Sequence, residues 1–425
     1  MSAPSSSPSN IAIIGASLSG LELTLALLKA ELYRAEEITI YEARRQDYPD
    51  LANRSGVVLT PNGLKVLDSI GILNRIRHNC WQSRYRTYRN DKDELVRKTL
   101  VANEELYGYT NHRIWRRSLQ DALLSAVNEK GVRIIWNAKF EYVVHEVQDE
   151  VHFMVNGKEH HAGLLIGADG IYSGVRKYLD PDAGPEYTGT MGVLAHIQWD
   201  DVQWPTDDYE RNCTIQGKPG ALFWIPEDKE GSVIMIGKQV KMPGKSRQEL
   251  EEMAKDEETL CNFYRKDYDE WGSTAQQIID AVCRNKDTFY VWPFLKMSKL
   301  QKWISDKGRV IIVGDAAHAI PPSSGQGVNQ TLEDVHTLTR VLKEGPDRVK
   351  ALNFWQCLRQ KRVDDIYDWS MNVTNVQRLP QADRDKLVRE GKAKDGNVTK
   401  DYDDMRWLYN STADQQINDW LREQS

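Results

Sequence analysis

A short glycine-rich stretch near the start of the chain has residues that could bind a phosphate group. Residues 11–23 read IAIIGASLSGLEL, with Gly15 and Gly20 at the first and last glycine positions of the G-x-G-x-x-G dinucleotide-binding pattern. Ser17 stands where this pattern has its middle glycine. Its side chain would crowd a pyrophosphate, but its hydroxyl could also donate a hydrogen bond to one. The stretch alone leaves two interpretations open: a dinucleotide site, or an ordinary turn between a strand and a helix.

The elements around this turn are those that a dinucleotide site requires. Residues 10–14 predict a buried strand, and residues 21–29 (LELTLALLK) are rich in helix-forming residues. A helix that begins at the turn offers free N–H groups and the positive end of its dipole to a phosphate. Residues 38–41 predict a second strand. It ends at Glu42, 22 positions beyond Gly20, where such a fold places a carboxylate on the ribose.

Two later stretches place an aspartate beside a glycine just after an apolar strand. Residues 163–176 read GLLIGADGIYSGVR and contain Asp169 and Gly170. Residues 308–334 read GRVIIVGDAAHAIPPSSGQGVNQTLED and contain Asp315. A carboxylate at the end of a strand could bind the hydroxyl groups of a ribityl chain, because the backbone comes close there. Both stretches therefore favour a flavin dinucleotide.

The end of the second stretch could hold a flavin ring. Residues 323–329 are mostly small, and they lead into a helix that we expect to begin near Gly327. Free N–H groups at the start of a helix can stabilise the electron-rich edge of a flavin, above all when it is reduced.

The composition excludes several classes of protein. The chain has 425 residues and a net charge of −6, so as a whole it offers no basic field for nucleic acid or anionic lipid. No apolar run approaches the roughly 20 residues that span a bilayer. The opening MSAPSSSPSN lacks the features of a signal peptide. Five scattered cysteines without a metal-binding pattern are typical of a reducing compartment, so we expect a soluble cytoplasmic protein without a metal site.

The three motifs, in this order and at this spacing, resemble those of the single-component FAD-dependent aromatic hydroxylases. These are the p-hydroxybenzoate hydroxylase-like group A flavoprotein monooxygenases. The resemblance covers most of residues 10–365. It implies an α/β fold with a Rossmann-like FAD-binding domain, an inserted β-sheet substrate domain and C-terminal helices. Some members of this family have G-x-S-x-x-G, so Ser17 does not argue against FAD.

The resemblance also implies roles for single residues. Glu42 matches the carboxylate on the adenosine ribose, Asp315 the ribityl-binding aspartate, and Asp169 the aspartate linked to the handling of FAD and NAD(P)H. Pro322 matches a proline whose backbone carbonyl lies above the substrate and the flavin, which makes it the one candidate for a catalytic contact. The implied cofactor-binding residues are Gly15, Ser17, Gly20, Glu42, Arg54, Arg116, Arg117, Asp169, Gly170, Asp315, Gly325, Gly327, Val328 and Asn329.

The assignments of the arginines and of the flavin-edge amides rest on particular segments, and one arginine has an alternative. Arg54, in RSGV, matches an arginine near the cofactor and the nicotinamide donor. Arg116, in WRRSLQDAL, matches an arginine that reaches FAD, and Arg117 is the rival for that role. Val328 and Asn329 match backbone amides at the pyrimidine edge of the flavin.

The resemblance divides the chain into a discontinuous FAD-binding domain, a substrate domain and two terminal parts. We expect a disordered tail at 1–9, an FAD-binding domain at 10–72, 111–180 and 287–365, a substrate domain at 73–110 and 181–286, and a C-terminal helical segment at 366–425. Strand patterns at 192–199, 221–226 and 232–239 predict the substrate sheet. Its residues His196, Phe223 and Met235 are candidate substrate contacts. The C-terminal segment should pack across the pocket or support a dimer.

The implied function is an FAD-dependent monooxygenase. Such an enzyme uses NADPH or NADH and O₂, and hydroxylates an aromatic or other electron-rich small molecule through a flavin C4a-hydroperoxide, in secondary metabolism or aromatic catabolism. One alternative on the same fold is epoxidation of an alkene or indole. Halogenation is disfavoured, because Leu222 replaces the first tryptophan of the halogenase W-x-W-x-I-P run. A second alternative is a flavin-free escort-type binding protein. We expect a monomer or homodimer that binds no nucleic acid.

Overall fold

The structure is a computed structural model that describes residues 9–47, 55–101, 103–370, 378–391 and 405–424. All but one residue of the predicted tail at 1–9, and Arg54, lie outside these ranges. The strands are β1 (Ile11–Ile14), β2 (Ile38–Tyr41), β3 (Gly56–Leu59), β4 (Trp81–Ser83), β5 (Tyr85–Asn90), β6 (Leu95–Leu100), β7 (Asn111–Trp115), β8 (Arg133–Ile135), β9 (Phe140–Glu146), β10 (Val151–Val155), β11 (Lys158–Ala162), β12 (Leu164–Gly167), β13 (Pro185–Gln198), β14 (Cys213–Gly217), β15 (Gly220–Pro226), β16 (Val233–Lys241), β17 (Tyr290–Met297) and β18 (Val310–Ile312).

The same ranges contain helices of very different lengths. They are α1 (Leu18–Lys29), α2 (Pro61–Ser69), α3 (Leu73–Ile76), α4 (Glu104–Tyr107), α5 (Arg116–Glu129), α6 (Arg176–Leu179), α7 (Arg247–Met253), α8 (Glu257–Arg265), α9 (Ser273–Arg284), α10 (Asp315–His318), α11 (Gly327–Glu344), α12 (Arg348–Trp369), α13 (Gln381–Arg389), α14 (Arg406–Tyr409) and α15 (Ala413–Glu423).

A parallel sheet in the order β18-β12-β1-β2-β8 forms the centre of the first half of the molecule. Every residue of β1 and β12 is buried, as expected for strands covered on both faces. Because parallel strands end at the same edge of a sheet, the residues that follow them converge there. Gly15 follows β1, Glu42 follows β2, Asp169 follows β12 and Asp315 follows β18.

A second, seven-stranded sheet in the order β17-β13-β16-β15-β14-β5-β6 lies in the other half. Its outer face packs against α8 and α9 in a separate apolar core, where Tyr264 and Ile278 are fully buried. The Tyr264 hydroxyl also donates a hydrogen bond to the backbone carbonyl of Val193 at 2.8 Å. The inner face is left to form the wall of a cavity.

One strand of this sheet differs from the predicted division of the chain. The expected boundary at residue 287 placed Tyr290–Met297 in the FAD-binding part, but this strand pairs antiparallel with β13. The reason is the length of β13, whose 14 residues need a partner on the side that β16 does not cover. The predicted domain boundaries otherwise stay a prediction.

The C-terminal part lies across the cavity. Arg359 of α12 is fully buried and donates hydrogen bonds to the carboxylates of Glu333 and Asp334 of α11, at 2.6 and 2.8 Å. Further along, Arg362 binds the backbone carbonyls of Trp407 and Leu408. These contacts hold α14 against the body of the protein.

Within the described ranges, no helix is long and apolar enough to cross a membrane.

Candidate active site

A cavity of about 1860 Å³ lies between the carboxyl edge of the parallel sheet and the inner face of the seven-stranded sheet. Its lining includes residues from both sheets, from the start of α1 and α11, and from the C-terminal segment. A pocket for one small ligand usually measures about 300–1,000 Å³. This cavity therefore has room for a dinucleotide and a second molecule together.

The glycine-rich turn forms one end of the cavity. Gly15 has a φ of +106°, and a Cβ there would lie 2.5 Å from the carbonyl oxygen of Ala168. A Cβ at Gly20 would lie 2.0 Å from the carbonyl oxygen of Gly15, so Gly20 serves the contact between helix and turn and does not line the cavity. Ser17 lines the cavity and precedes α1, whose N-terminus has no side-chain cap. The N–H groups at the start of α1 are thus open to a phosphate.

Glu42 is held by the same turn. One of its carboxylate oxygens accepts a hydrogen bond from the backbone N–H of Ala16 at 2.8 Å, and the other accepts one from Arg44 N–H at 2.8 Å. Each oxygen keeps capacity for another donor. The carboxylate lines the cavity, in a fixed orientation that suits the hydroxyl groups of a ribose.

Asp169 has an unused acceptor at the cavity wall. Its Oδ2 accepts hydrogen bonds from the N–H groups of Gly174 and Val175 at 2.7 and 3.2 Å, while Oδ1 is buried and has no hydrogen-bond partner among the described residues. Burial raises the pKa of this carboxyl, and the hydrogen bonds from Ser173 and the backbone only partly counteract the rise. An unsatisfied buried oxygen is costly, so a ligand hydroxyl or amide would stabilise this arrangement. Gly170 lies beside it on the cavity wall.

The third motif forms another part of the cavity wall. The side chain of Asp315 is exposed to the cavity rather than bound to another described side chain. Gly325 adopts a φ of +65°, and α11 then begins at Gly327 without a side-chain cap. A Cβ at Gly327 would meet no atom of the described ranges within 4 Å, so in that part of the chain nothing covers the first turn of this helix. Pro322 and Val328 also line the cavity.

Two other predicted cofactor residues lie off the cavity wall. The exposed Arg117 instead makes an ion pair with Asp121 one helical turn away, at 2.9 Å, whereas Arg116 lines the cavity. The side chain of Asn329 is fully buried, where it accepts a hydrogen bond from the backbone N–H of Thr60 at 2.9 Å and donates one to the carbonyl of Val58 at 2.9 Å. Its side chain therefore ties β3 to α11.

His196 belongs to a buried network instead of the cavity wall. Its Nε2 lies 3.3 Å from the carboxylate of Glu227, which also binds the guanidinium of Arg113 at 2.6 and 2.8 Å and the N–H of Gly56 at 3.1 Å. Burial alone would raise the pKa of Glu227, but the charge of Arg113 and the bond from His196 bring it below its usual value. We did not predict Glu227 or Arg113. A charged residue between His112 and Ile114 in the segment NHRIW was the one available signal.

The inner face of the seven-stranded sheet supplies the opposite, apolar part of the cavity. Phe223 and Met235 both line it. The Phe223 ring lies over Gly237, where a Cβ would come within 2.2 Å of it. The guanidinium of Arg378, which sequence analysis did not single out, lies 4.2 Å from the ring centroid. An aromatic ligand would find ring surfaces and a cation at this end.

These residues fit FAD. That cofactor has phosphates and hydroxyl groups, and the cavity offers partners for both. Two helix N-termini have no side-chain cap, one buried carboxylate oxygen of Asp169 has no partner among the described residues, and two carboxylates face the cavity. By contrast, His318 and Asp334 from the same motif bind one another behind the wall. Their role is to hold the loop, because Asp334 also accepts a hydrogen bond from Gly314 N–H at 3.0 Å.

Comparison with known proteins agrees with this description. The model of the FAD binding domain family matches residues 9–347. A 3-amino-4-hydroxybenzoate 2-monooxygenase, PtnB3 of Streptomyces platensis, is 25% identical over 420 residues, which cover 95% of this chain and 96% of that protein. A substrate complex of salicylate hydroxylase superposes with a TM-score of 0.75 at 19% identity, covering 97% and 98% of the two chains. Klebsiella pneumoniae HpxO with FAD and uric acid has a TM-score of 0.74 at 20% identity, covering 96% and 97%.

The family match and these superpositions confirm the predicted fold. It is the p-hydroxybenzoate hydroxylase type, with an FAD-binding part and an inserted sheet. FAD as the cofactor is confirmed as well. The chain therefore belongs to the FAD-binding domain family, and it is an FAD-dependent monooxygenase.

Proposed function

We propose that this enzyme hydroxylates an aromatic or other electron-rich small molecule, with NADPH or NADH and O₂ as co-substrates. The observation that carries the proposal is the continuity of the cavity. It runs without a break from Asp315 and the start of α11 to the aromatic inner face of the seven-stranded sheet. A flavin ring held at the first end would face a ring-shaped substrate at the second.

The substrates for which related enzymes are named support an aromatic substrate. Besides the 3-amino-4-hydroxybenzoate enzymes, the chain is 25% identical over 402 residues to a 6-methylsalicylate 1-monooxygenase of Aspergillus terreus. The structural neighbour HpxO was solved with uric acid, which is also a planar ring. The alternatives, epoxidation and a flavin-free escort role, are not favoured by these names, and the FAD-binding groups at the cavity also oppose an escort role.

Bound FAD supplies the transfer of hydride equivalents and the activation of O₂. The chain orients the flavin and the substrate, stabilises negative charge and excludes water. The N–H groups and dipole at the start of α11 would stabilise negative charge on the near edge of the flavin ring. Aromatic side chains such as Tyr290, Trp292 and Phe223 cover the substrate end and keep water from the reacting atoms.

The test is oxygen incorporation by the FAD-loaded protein. Purified enzyme is incubated with NADPH or NADH under ¹⁸O₂, over a set of phenols, aminobenzoates, indoles and N-heterocycles, with product masses recorded. We expect at least one arene that speeds NAD(P)H oxidation and gains a single ¹⁸O atom. If every compound that speeds oxidation yields only hydrogen peroxide, hydroxylation is the wrong reaction.

We also propose a cytoplasmic location. All five cysteines lie in the described ranges, and none of them forms a disulfide. A monomeric or homodimeric state stays a prediction.

A further inference from the structure

Glu22 is a fully buried acid within α1. Every residue of this helix from Gly20 to Leu27 is buried, and the exposed fraction of Glu22 is 0%. Neither oxygen of its carboxyl group has a hydrogen-bond partner within the described ranges. A glutamate is almost never fully buried unless it is paired, because an isolated buried charge is very costly. Glu22 is therefore uncharged in this arrangement, and it would need a partner in order to ionise.

Arg116 is the cation whose charge acts on Glu22. It begins α5, which packs against α1, and it lines the cavity. Its backbone N–H donates a hydrogen bond to the carbonyl of Ser55 at 2.9 Å, but its guanidinium makes no hydrogen bond or ion pair with another described residue. Glu22 lies one helical turn behind Leu18, which also lines the cavity. A cation at the cavity wall and an unpartnered acid behind that wall thus lie near each other.

The other charged groups on the two helices that pack against α1 have partners of their own or are exposed. Lys343 of α11 is exposed. The pairs that the structure describes are Arg117–Asp121 and Arg75–Glu129 on α5, and Glu333–Arg359, Asp334–Arg359, His336–Asp414 and Arg340–Glu344 on α11. Among the described residues of these two helices, Arg116 is the charged group that is left to pair with Glu22.

The protonation of Glu22 depends on where the Arg116 side chain lies. In the arrangement shown, burial raises the pKa of Glu22 well above its usual value, and the charge of Arg116 only partly counteracts the rise. A direct hydrogen-bonded ion pair would lower that pKa, because it stabilises the charged carboxylate. A guanidinium that binds Glu22 in this way is no longer free to bind an anion in the cavity. The ion pair and the binding of an anion therefore exclude each other.

We propose that Glu22 competes with FAD for Arg116. In the FAD-free protein, the ionised Glu22 pairs with Arg116. When Arg116 binds an anionic group of FAD instead, the Glu22 carboxylate takes up one proton from the solvent and stays buried as a neutral acid. Because FAD binding then consumes a proton, the affinity for FAD falls as the pH rises. This inference rests on FAD binding and on the predicted contact between Arg116 and the cofactor, and it does not rest on the proposed hydroxylation.

The test measures FAD affinity against pH. The FAD-loaded enzyme is diluted at several pH values between 6.0 and 8.5, and the fluorescence of the released FAD gives the dissociation constant at each pH. The diphosphate of FAD stays ionised over this range, so it adds no titration of its own. The variants are Glu22→Gln, Glu22→Leu and Arg116→Met. Glu129→Gln is the matched control, because it removes an exposed carboxylate from α5.

We expect the dissociation constant of the wild type to rise at least tenfold between pH 6.0 and pH 8.5, with a slope of at most tenfold per pH unit. In Glu22→Gln it should change less than threefold over this range, and at pH 8.5 this variant should bind FAD more tightly than the wild type. Glu22→Leu, which leaves no buried polar group, should behave in the same way. Arg116→Met should bind FAD more weakly at pH 6.0 and lose the pH dependence. Glu129→Gln should follow the wild type.

A second measurement separates this role from a merely structural one. A structural role would change the affinity but not the number of protons taken up. Calorimetric titration of the apoprotein with FAD at pH 7.5, in two buffers of different ionisation enthalpy, counts these protons. The wild type should take up about half a proton to one proton more than Glu22→Gln.

Three results would each refute the competition. They are a wild-type affinity that does not depend on pH, an unchanged pH dependence or proton count in Glu22→Gln, and wild-type FAD affinity in Arg116→Met. All of these measurements are made without substrate or NAD(P)H, so their outcome is independent of the hydroxylation test.

Discussion

The guanidinium of Arg113 donates two hydrogen bonds to the carboxylate of Glu227, from Nε at 2.8 Å and from Nη2 at 2.6 Å. Glu227 is completely buried, and Arg113 nearly so. Arg113 lies on β7, whereas Glu227 directly follows β15, so this pair joins the small sheet β3-β7-β4 to the seven-stranded sheet. The Glu227 carboxylate also accepts a hydrogen bond from the backbone N–H of Gly56, and Gly56 lines the cavity.

This geometry predicts strong coupling between the two residues. Glu227→Ala leaves a buried guanidinium unpaired and should lower the free energy of unfolding by about 3–5 kcal/mol. The double variant Glu227→Leu with Arg113→Met should recover most of that loss, because neither charge remains. Urea unfolding of the single and double variants measures the coupling. Arg117→Ala is the exposed control and should cost at most about 0.5 kcal/mol. Strictly additive losses would contradict the prediction.

Asp315 should matter for FAD affinity and little for folding. Its side chain faces the cavity, so Asp315→Ala removes hydrogen bonds to the cofactor without opening the core. Loss of a charge-assisted hydrogen bond of about 1.5–3 kcal/mol should weaken FAD binding by about tenfold to a hundredfold. Flavin fluorescence titration of the apoprotein gives the dissociation constant. Asp306→Ala, which removes an exposed carboxylate, is the control. Undiminished FAD affinity in Asp315→Ala would refute the assignment.

Ser17 is tested by two substitutions of opposite size. Ser17→Gly restores the common motif, removing a Cβ and one hydroxyl at the cavity wall, so FAD affinity should change by tenfold at most. Ser17→Leu fills the space in front of the uncapped start of α1, where the phosphates would approach. The glycine variant should purify yellow and the leucine variant without flavin. Equal flavin content in both, measured by absorbance near 450 nm, would show that this turn does not bind the cofactor.

Glu333 should make stability depend on acidic pH. Burial alone would raise the pKa of Glu333, but the charges of Arg359 and Arg362 lower it from 4.5 to about 2. A carboxyl with a lowered pKa stabilises the fold above its unfolded pKa and loses that contribution as the pH falls through the folded value. Between pH 5 and pH 2 the wild type should therefore lose at most about 3 kcal/mol through this group. Glu333→Gln should lose correspondingly less over that range.

Urea unfolding at several pH values between 5 and 2 measures this difference. Glu36→Gln serves as the control, since Glu36 is largely exposed and its ion-pair partner within the described ranges is the exposed Arg34. An identical pH dependence in Glu333→Gln and the wild type would show that the buried cluster at α11 and α12 does not titrate in this way.

The sequence by itself determined the cofactor end of this protein. The groups predicted to bind FAD there come from short local segments, a glycine turn and aspartates placed just after apolar strands. Parallel strands bring such positions to one edge whatever the rest of the chain does. Gly15, Glu42, Asp169 and Asp315 could therefore be predicted from spacing and from a family resemblance, and all four lie on the cavity wall.

Only the tertiary structure decided the substrate end and the contacts between the two halves. Arg113 and Glu227 are 114 positions apart, and Arg86 meets Thr214 across 128 positions. Such pairs depend on strand register and on which face of a strand is covered. A local sequence pattern indicates neither of these. For the same reason His196, predicted to contact the substrate, lies in a buried network, and β17 joins a sheet that its position in the chain did not indicate.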